Sequence, residues 1–260
     1  MGTFFDDQPS IFSTGGGKPG LVQDTIRNFG VAIEQGADVI RTNMAAASDG
    51  TTVLYSNDVF NHGDCAASGL GSLGAHELRM KYKNLLRNRA TDDSKDDIDG
   101  VFPSLEEALE AFPGQRFNVH CTQKSPALMR GFREIVERLN AQNRVLVSSV
   151  SGYNTKWIRA AMPEVPVTFS FYGMIWFYGL FKSGFIFLAH NFSPQALVMP
   201  DKIGASFFAN SGLIDEAKKR GIRVYVNPVD SVEQARRIKD AGADGIVTNN
   251  ISAVKAVFHE

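Results

Sequence analysis

Two strand-like stretches of the chain carry polar residues at alternate positions. In GADVIRTNM, Arg41 and Asn43 stand two residues apart, and in RFNVHCT the same spacing separates His120 from Thr122. Because successive side chains of a strand point to opposite faces, each pair shares one face. A guanidinium can hold an anion through its planar fork, and an imidazole can exchange a proton near neutral pH. Arg41, Asn43 and His120 are therefore the candidate catalytic residues.

The elements that would position these residues follow a βα rhythm, in which short apolar runs alternate with amphipathic stretches. The predicted strands are IFST (11–14), DVIRTN (38–43), RFNVHCT (116–122), RVLVSSV (144–150), VPVTFS (165–170), ALVMP (196–200), RVYVNPV (223–229) and GIVTN (245–249). One further run, VLYS (53–56), follows its predecessor after only AAASDG. That connection is too short for a parallel crossover, so we expect this run to turn back.

Eight parallel strands are the number in a TIM-type (β/α)8 barrel, which is the fold that the pattern predicts. A doubly wound sheet is the alternative, although no G-x-G-x-x-G follows the first strand. We expect one barrel domain over residues 1–260, with residues 57–102 as an inserted loop region after the second barrel strand, over one mouth. In such a barrel the chemistry lies at the carboxyl ends of the strands.

Composition excludes several classes of protein. The 27 basic and 28 acidic residues give a formal net charge of -1, so bulk electrostatics implies no nucleic-acid partner. Two cysteines in a chain of 260 residues do not make a disulfide scaffold, which favours a reducing compartment. The first residues, MGTFFDDQPS, resemble no secretory signal. We expect a cytoplasmic protein with a small-molecule ligand, and its oligomeric state stays open.

The frame of the chain resembles the glycerophosphodiester phosphodiesterase family over nearly its whole length. IFSTGGGKPGLVQDT is similar to the family's I-A-H-R-G-G…P-E-N-T, GADVIRTNM to G-A-D-x-I-E-x-D-V, and VLYSND to V-V-x-H-D. FPSLEEALEAFPGQRFNVHCTQ is similar to I-P-T-L-E-E-V-L-E-A-F…R-F-N-I-E-I-K. GIRVYVNPVDSVEQARRIKDAGADGIVTN is similar to G-L-K-V-x-V-W-T-V-N…G-x-D-G-I-I-T-D. The resemblance implies a barrel of that family's type.

The same resemblance implies a site that this chain does not keep. The family holds a divalent metal with the acids of E-x-D and I-E-I-K, and it uses the histidines of H-R-G and H-D as acid and base. The matching positions here are Arg41 and Asn43 for the first two acids, His120 for the third, Thr14 and Ser56 for the histidines, Gly15 for the arginine, Gln23 for the glutamate of P-E-N-T, Thr122 for the lysine and Asn227 for a tryptophan.

Hard divalent cations prefer carboxylate oxygens, and proton transfer needs a titratable acid and base. The replaced residue types therefore predict no metal site, no cofactor and no hydrolysis by the family route. Apart from the three candidate catalytic residues, we expect the matched positions to bind a ligand: Thr14, Gly15, Gln23, Ser56, Thr122 and Asn227. Three successive glycines beginning at Gly15 offer backbone N–H groups to an anion.

Three functions stay open for such a barrel. The first, which we favour, is a metal-independent enzyme of the isomerase, cyclase or lyase type that acts on an apolar or amphipathic molecule in an aromatic-lined pocket. The second is a non-catalytic pseudoenzyme that binds a phosphate or carboxylate through Arg41. The third is an active phosphodiesterase that uses other groups, such as His62 with His120.

The aromatic segment FSFYGMIWFYGLFKSGFIFLAH (169–190) is long enough to span a bilayer by hydropathy alone, but three glycines and Lys182 interrupt it. A helix that is apolar on all sides is usually buried in protein. We therefore expect it to pack against the barrel or to cover the mouth, with Phe171 and Trp176 as ligand-binding residues. A transient contact with membrane or lipid is the further interpretation of this segment.

Overall fold

The structure is a computed structural model that describes residues 3–6, 10–17, 21–56, 67–87, 100–189, 192–203 and 206–259. Its strands are β1 (Ser10–Thr14), β2 (Val39–Ala46), β3 (Thr52–Tyr55), β4 (Arg116–Cys121), β5 (Val145–Ser149), β6 (Ala196–Met199), β7 (Lys202–Ile203), β8 (Ser206–Phe207), β9 (Arg223–Val226) and β10 (Gly245–Thr248). Its α-helices are α1 (Ile26–Gln35), α2 (Ala75–Arg87), α3 (Leu105–Ala111), α4 (Pro126–Arg138), α5 (Gly152–Ala161), α6 (Phe171–Ser183), α7 (Ser211–Lys218), α8 (Val232–Asp240) and α9 (Ile251–Phe258).

Parallel strands form a barrel in the order β5, β4, β2, β1, β10, β9, β6. The eighth position is filled by the predicted strand VPVTFS, which makes single parallel bridges from Val167 to Val147 and from Thr168 to Ala196. These two bridges join the ends of the sheet and close the barrel. The predicted (β/α)8 fold is confirmed.

Strand β3 is antiparallel to β2, with Asn43 paired to Tyr55, so the prediction that this run turns back is also confirmed. The start of β3 lies beside the end of β2, with Thr52 paired to Ala46, and the end of β3 returns to the level of Asn43. Ser56, the residue after β3, therefore lies at the same mouth as Asn43. A small antiparallel pair, β7 with β8, follows β6.

Alternation along the strands divides the core into two layers. The barrel interior holds one cluster that takes a residue from most barrel strands and from the N-terminal segment: Phe4, Phe12, Val39, Leu146, Ala196, Tyr225 and Val247. The neighbouring strand residues, such as Ile11, Ile40 and Val147, pack outward against the helices in a larger cluster. Packing on both faces explains why these strands are nearly continuous apolar runs.

The insertion between β3 and α3 is described in two parts, 67–87 and 100–102. It is not only a loop, because α2 and a preceding 3₁₀ helix occupy most of the part that the structure describes. Leu78 and Tyr82 of α2, one helical turn apart, pack with Val53, Tyr55 and other apolar residues in a separate cluster. Most of the polar run 88–100 lies outside the described residues.

The aromatic segment forms α6 and a short 3₁₀ turn rather than a membrane span. Among the described residues, no helix is long and apolar enough to cross a bilayer. The expectation that a helix apolar on all sides would be buried is wrong for α6, which buries Met174 and Phe177 and exposes its opposite face.

Candidate functional site

The carboxyl ends of the barrel strands surround two adjoining pockets of about 290 Å³ each. The polar pocket is lined by Thr14, Gln23, Asp24, Arg41, Thr42, Asn43, Ser56, Asn227 and Asn249. The apolar pocket is lined by Arg41, His120, Ser148, Ser149, Val150, Thr168, Phe169, Ser170, Phe171, Met174, Val198, Met199, Pro200 and Asn227. Arg41 and Asn227 belong to both linings and mark the boundary between the pockets.

Arg41 is on β2, which runs between β1 and β4. Its neighbours across the sheet are Thr14 and Asn118. Burial lowers the pKa of its guanidinium, which nevertheless stays charged near neutral pH because an arginine begins so far above that range. Within the described part of the chain, Arg41 has no hydrogen-bond or ion-pair partner for its side chain. Its positive charge therefore faces the pockets without a direct partner among the described residues.

His120 lies one strand away, opposite Asn43 in the β2–β4 register. Its Nδ1 is 3.1 Å from the hydroxyl oxygen of Ser148. The pKa of the imidazole is lowered to about 4, first by burial and then by the charge of Arg41. Both causes disfavour the charged imidazole, and desolvation is the larger of the two. His120 is neutral at neutral pH and can accept a proton or a hydrogen bond.

Three of the predicted site residues are held by hydrogen bonds at the rim. The Asn43 amide donates to the carbonyl oxygen of Tyr55 over 3.0 Å. The Ser56 hydroxyl donates to Oε1 of Gln23 over 2.9 Å. These bonds tie β2, β3 and the loop before α1 into one wall of the polar pocket. Thr122, whose hydroxyl lies 2.7 Å from the Tyr55 hydroxyl, is exposed and lies outside both linings.

The glycine stretch does not present a free set of backbone donors. The N–H of Gly15 donates to the carbonyl of Arg41 over 2.8 Å, and that of Gly17 donates to Asn28. The expectation that these groups face an anion is therefore wrong for Gly15 and Gly17. Gly15 instead has a structural role, since its φ of 68° suits glycine and its own amide orders the Arg41 backbone.

Only one of the two predicted aromatic ligand-binding residues lies at the site. Phe171 lines the apolar pocket at its rim, with 53% of its surface exposed. Trp176 is five residues further along α6, where 63% of it faces solvent and it lines neither pocket. Its prediction as a ligand-binding residue is corrected, because the rotation of α6 turns this ring outward.

The sequence argument missed Asp24, the one carboxylate in the described lining of the polar pocket. Asp24 is 3% exposed and has a φ of 54°. Its N–H donates to the carbonyl oxygen of Gly15 over 2.6 Å, which holds the loop before α1 across the end of β1. The signal was available in part, since Asp tolerates the left-handed conformation and Thr25 after it is a good N-cap.

A larger cavity, of about 670 Å³, lies at the other end of the barrel. Its lining includes Phe4, Glu164 and Gln195, which are close to the amino-terminal ends of the barrel strands. None of the predicted site residues takes part in it. Size alone therefore does not identify the site, whereas the convergence of polar strand ends does.

Comparison with known proteins agrees with this architecture. A model of the glycerophosphoryl diester phosphodiesterase family matches residues 15–253. The chain belongs to this family. Human lysophospholipase D GDPD1 is 20% identical over 264 residues, which cover 94% of this chain and 84% of the human protein. A glycerophosphodiester phosphodiesterase from Caldanaerobacter subterraneus is 21% identical over 244 residues, or 90% and 91% of the two chains.

Solved structures of family members share the fold. A phosphodiesterase from Oleispira antarctica, in complex with the product sn-glycerol-3-phosphate, superposes with a TM-score of 0.75 at 15% identity. The match covers 98% of this chain and 99% of that one. The family barrel is thus present along the whole described chain.

Proposed function

We propose that the barrel mouth binds a small amphiphilic molecule whose anionic group is held by Arg41 in place of a metal-bound phosphate. The observation that carries this proposal is the half-buried guanidinium, which has no partner for its charge among the described residues. A buried charge without a partner costs free energy, and a bound anion offsets that cost through charge-assisted hydrogen bonds. The planar fork of arginine suits a phosphate or a carboxylate.

The two pockets explain why the ligand should be amphiphilic. The polar pocket surrounds Arg41 with amides and hydroxyls, which suit a charged head group. The apolar pocket offers Phe169, Met174, Met199 and neighbouring carbon surface to a hydrocarbon part. One relative is named a lysophospholipase D, and a structural neighbour was solved with sn-glycerol-3-phosphate, which carries a phosphate but no hydrocarbon part.

The donor set does not fit the divalent metal of the family. The three positions that match metal-binding acids hold a guanidinium, an amide and an imidazole, and Asp24 alone offers a carboxylate to the polar pocket. Mg²⁺ and Ca²⁺ are bound mainly by oxygen ligands, and the charge of Arg41 repels a second cation. We propose no step through a metal.

Catalysis is the second candidate function, and the observation that favours it is the His120–Ser148 pair. An imidazole that is neutral at pH 7 can take a proton from a ligand held at Arg41. Such a base supports a metal-independent isomerase, cyclase or lyase. The other residues of the site have the same ligand-binding role in both candidate functions. An enzyme therefore differs from a pseudoenzyme only in the role of His120, which accepts a proton in the enzyme.

Calorimetric titration with dodecyl phosphate in the presence of EDTA tests the binding proposal. We expect the Arg41→Met variant to lose about tenfold or more in affinity, because one charge-assisted interaction is removed. Arg130→Met is the matched control, since Arg130 is exposed on α4 and distant from both linings. Dodecanol should bind both proteins weakly and equally.

Two results would contradict the proposal: an affinity for dodecyl phosphate that Arg41→Met leaves unchanged, or an affinity that EDTA abolishes. Enzyme and binder are separated by ³¹P NMR of lysophosphatidylcholine and glycerophosphocholine incubated with the protein and EDTA. An enzyme predicts new phosphorus signals that His120→Ala removes while dodecyl phosphate still binds. A pseudoenzyme predicts no new signal with either protein.

A further inference from the structure

The outer face of α6 is apolar although it faces solvent. Phe171, Tyr172, Ile175 and Trp176 occupy this face at helical spacing, with exposed fractions of 53%, 77%, 42% and 63%. Three more large side chains, Phe185, Phe187 and Leu188, are exposed in the turn that follows. Large exposed apolar patches of this kind mark a binding surface. We call these seven residues the aromatic patch.

The aromatic patch begins at the rim of the apolar pocket. Phe171 belongs to both, and Met174 on the buried side of α6 also lines the pocket. A surface that covers the patch therefore reaches the pocket entrance. A second copy of the chain in this position would close the entrance, whereas a lipid layer would place its own hydrocarbon there.

The charges within the segment that carries the patch also suit a lipid surface. Residues 165–200 contain no aspartate or glutamate, and Lys182 is their one lysine or arginine. No carboxylate of this segment thus has to leave water or approach anionic head groups. Lys182 is exposed at the carboxyl-terminal end of α6, after the exposed apolar residues of that helix, and its long side chain can reach lipid phosphates. Tyrosine and tryptophan favour the level of the head groups.

We propose that the aromatic patch docks the protein on the surface of a phospholipid bilayer, with α6 lying in the interface and the apolar pocket opening toward the membrane. Docking goes beyond the proposed function and does not depend on it. Only the entry of an amphiphile from the bilayer into the pocket rests on the proposed function. The helix lies on the membrane and does not span it, in keeping with its 13 residues.

Fluorescence of Trp176 tests the proposal in the full chain. The protein has two tryptophans, and Trp157→Phe leaves Trp176 as the single reporter. We expect its emission to shift to the blue on addition of phosphatidylcholine–phosphatidylserine vesicles and to be quenched by brominated acyl chains. The double variant Tyr172→Ser with Trp176→Ser should co-sediment with these vesicles about tenfold less than the wild type or weaker.

The matched control is Met80→Ser, which replaces an apolar residue of α2 that is 48% exposed outside the patch, and it should co-sediment like the wild type. An equal loss for Met80→Ser, or no co-sedimentation of the wild type, would overturn the proposal. A concentration-dependent dimer that shifts Trp176 to the blue without lipid would also overturn it. The Arg41→Met variant should still co-sediment with vesicles. A wild type that binds dodecyl phosphate but not vesicles would overturn docking and leave the proposed function standing.

Discussion

At the scale of single residues, Arg41 and His120 form one electrostatic unit. Burial and, after it, the charge of Arg41 lower the pKa of the imidazole to about 4, so His120 is neutral at neutral pH and the charge of this pair is that of Arg41. An anion bound at Arg41 reduces this repulsion and thereby raises the pKa of His120. Ligand binding and protonation of His120 are thus coupled, because each is more favourable once the other has taken place.

The lowered pKa of His120 predicts a loss of stability in acid. Its folded pKa is about 4 and its ordinary value is 6.5, so between these values the unfolded chain binds a proton that the folded protein excludes. Stability therefore falls as the pH decreases from 6.5 toward 4. His120→Asn retains an acceptor for Ser148 but no titration. We expect this variant to lose about 2 kcal/mol less than the wild type over that range, measured by urea unfolding. Parallel pH profiles would show that His120 titrates normally.

The sequence predicted the convergence of Arg41, Asn43 and His120 because strand alternation and barrel order fix it. Side-chain direction on a strand has only two choices, so the pattern of polar and apolar residues was sufficient. Trp176 was misplaced since a helix turns each residue by a different angle, and a helix apolar all round gives no pattern from which to choose the buried face. Asp24 was missed because its place depends on a backbone turn.

At the scale of elements, the sequence located the βα units better than their ends. The apolar residues of LVQDTIRNFGVAIEQ do not mark where the first helix starts, and α1 begins at Ile26. The left-handed conformation of Asp24 interrupts the chain, and Thr25 then caps the helix by accepting a hydrogen bond from the Asn28 N–H. The pattern of apolar residues does not register such a turn. Because the helix begins only at Ile26, Gln23 and Asp24 belong to the preceding loop, which brings them to the polar pocket.

Helix α3 offers a test of how local signals stabilise the barrel wall. Ser104 accepts a hydrogen bond from the N–H of Glu107, whose carboxylate accepts one from the N–H of Ser104. This capping box predicts that Ser104→Ala lowers the free energy of unfolding by about 1 kcal/mol. Ser104→Asn keeps a capping oxygen and should remain within a few tenths of the wild type. Equal losses for the two variants in urea denaturation would mean that the cap itself contributes little.

At the scale of the whole molecule, the count of eight strands followed from the βα rhythm and proved correct. The rhythm does not show how the two edges of the sheet join, nor how the end of the barrel opposite the site is filled. The strand VPVTFS makes only two bridges, because Pro166 cannot donate to a ladder. The opposite end from the site is closed by the N-terminal segment, which lies outside the βα pattern.

Phe4 is the residue that closes that end. Its side chain is 2% exposed and packs in the barrel interior, with its ring centroid 6.4 Å from that of Phe12. Arg116 lies over the same ring and donates to the Phe4 carbonyl over 2.9 Å, which fixes the segment to β4. Interior packing at one end of a barrel stabilises all strands together. A defect there should therefore lower global stability without changing the geometry of the distant mouth.

We expect Phe4→Ala to lower the free energy of unfolding by about 3 kcal/mol, because it leaves a cavity among buried rings. Phe5→Ala is the comparison variant, since Phe5 is only partly buried beside the same cluster and should lose less. Dodecyl phosphate affinity of the folded Phe4→Ala protein should equal that of the wild type. Similar losses of stability for both variants, or a changed affinity for the ligand, would contradict a purely structural role for Phe4 at the closed end of the barrel.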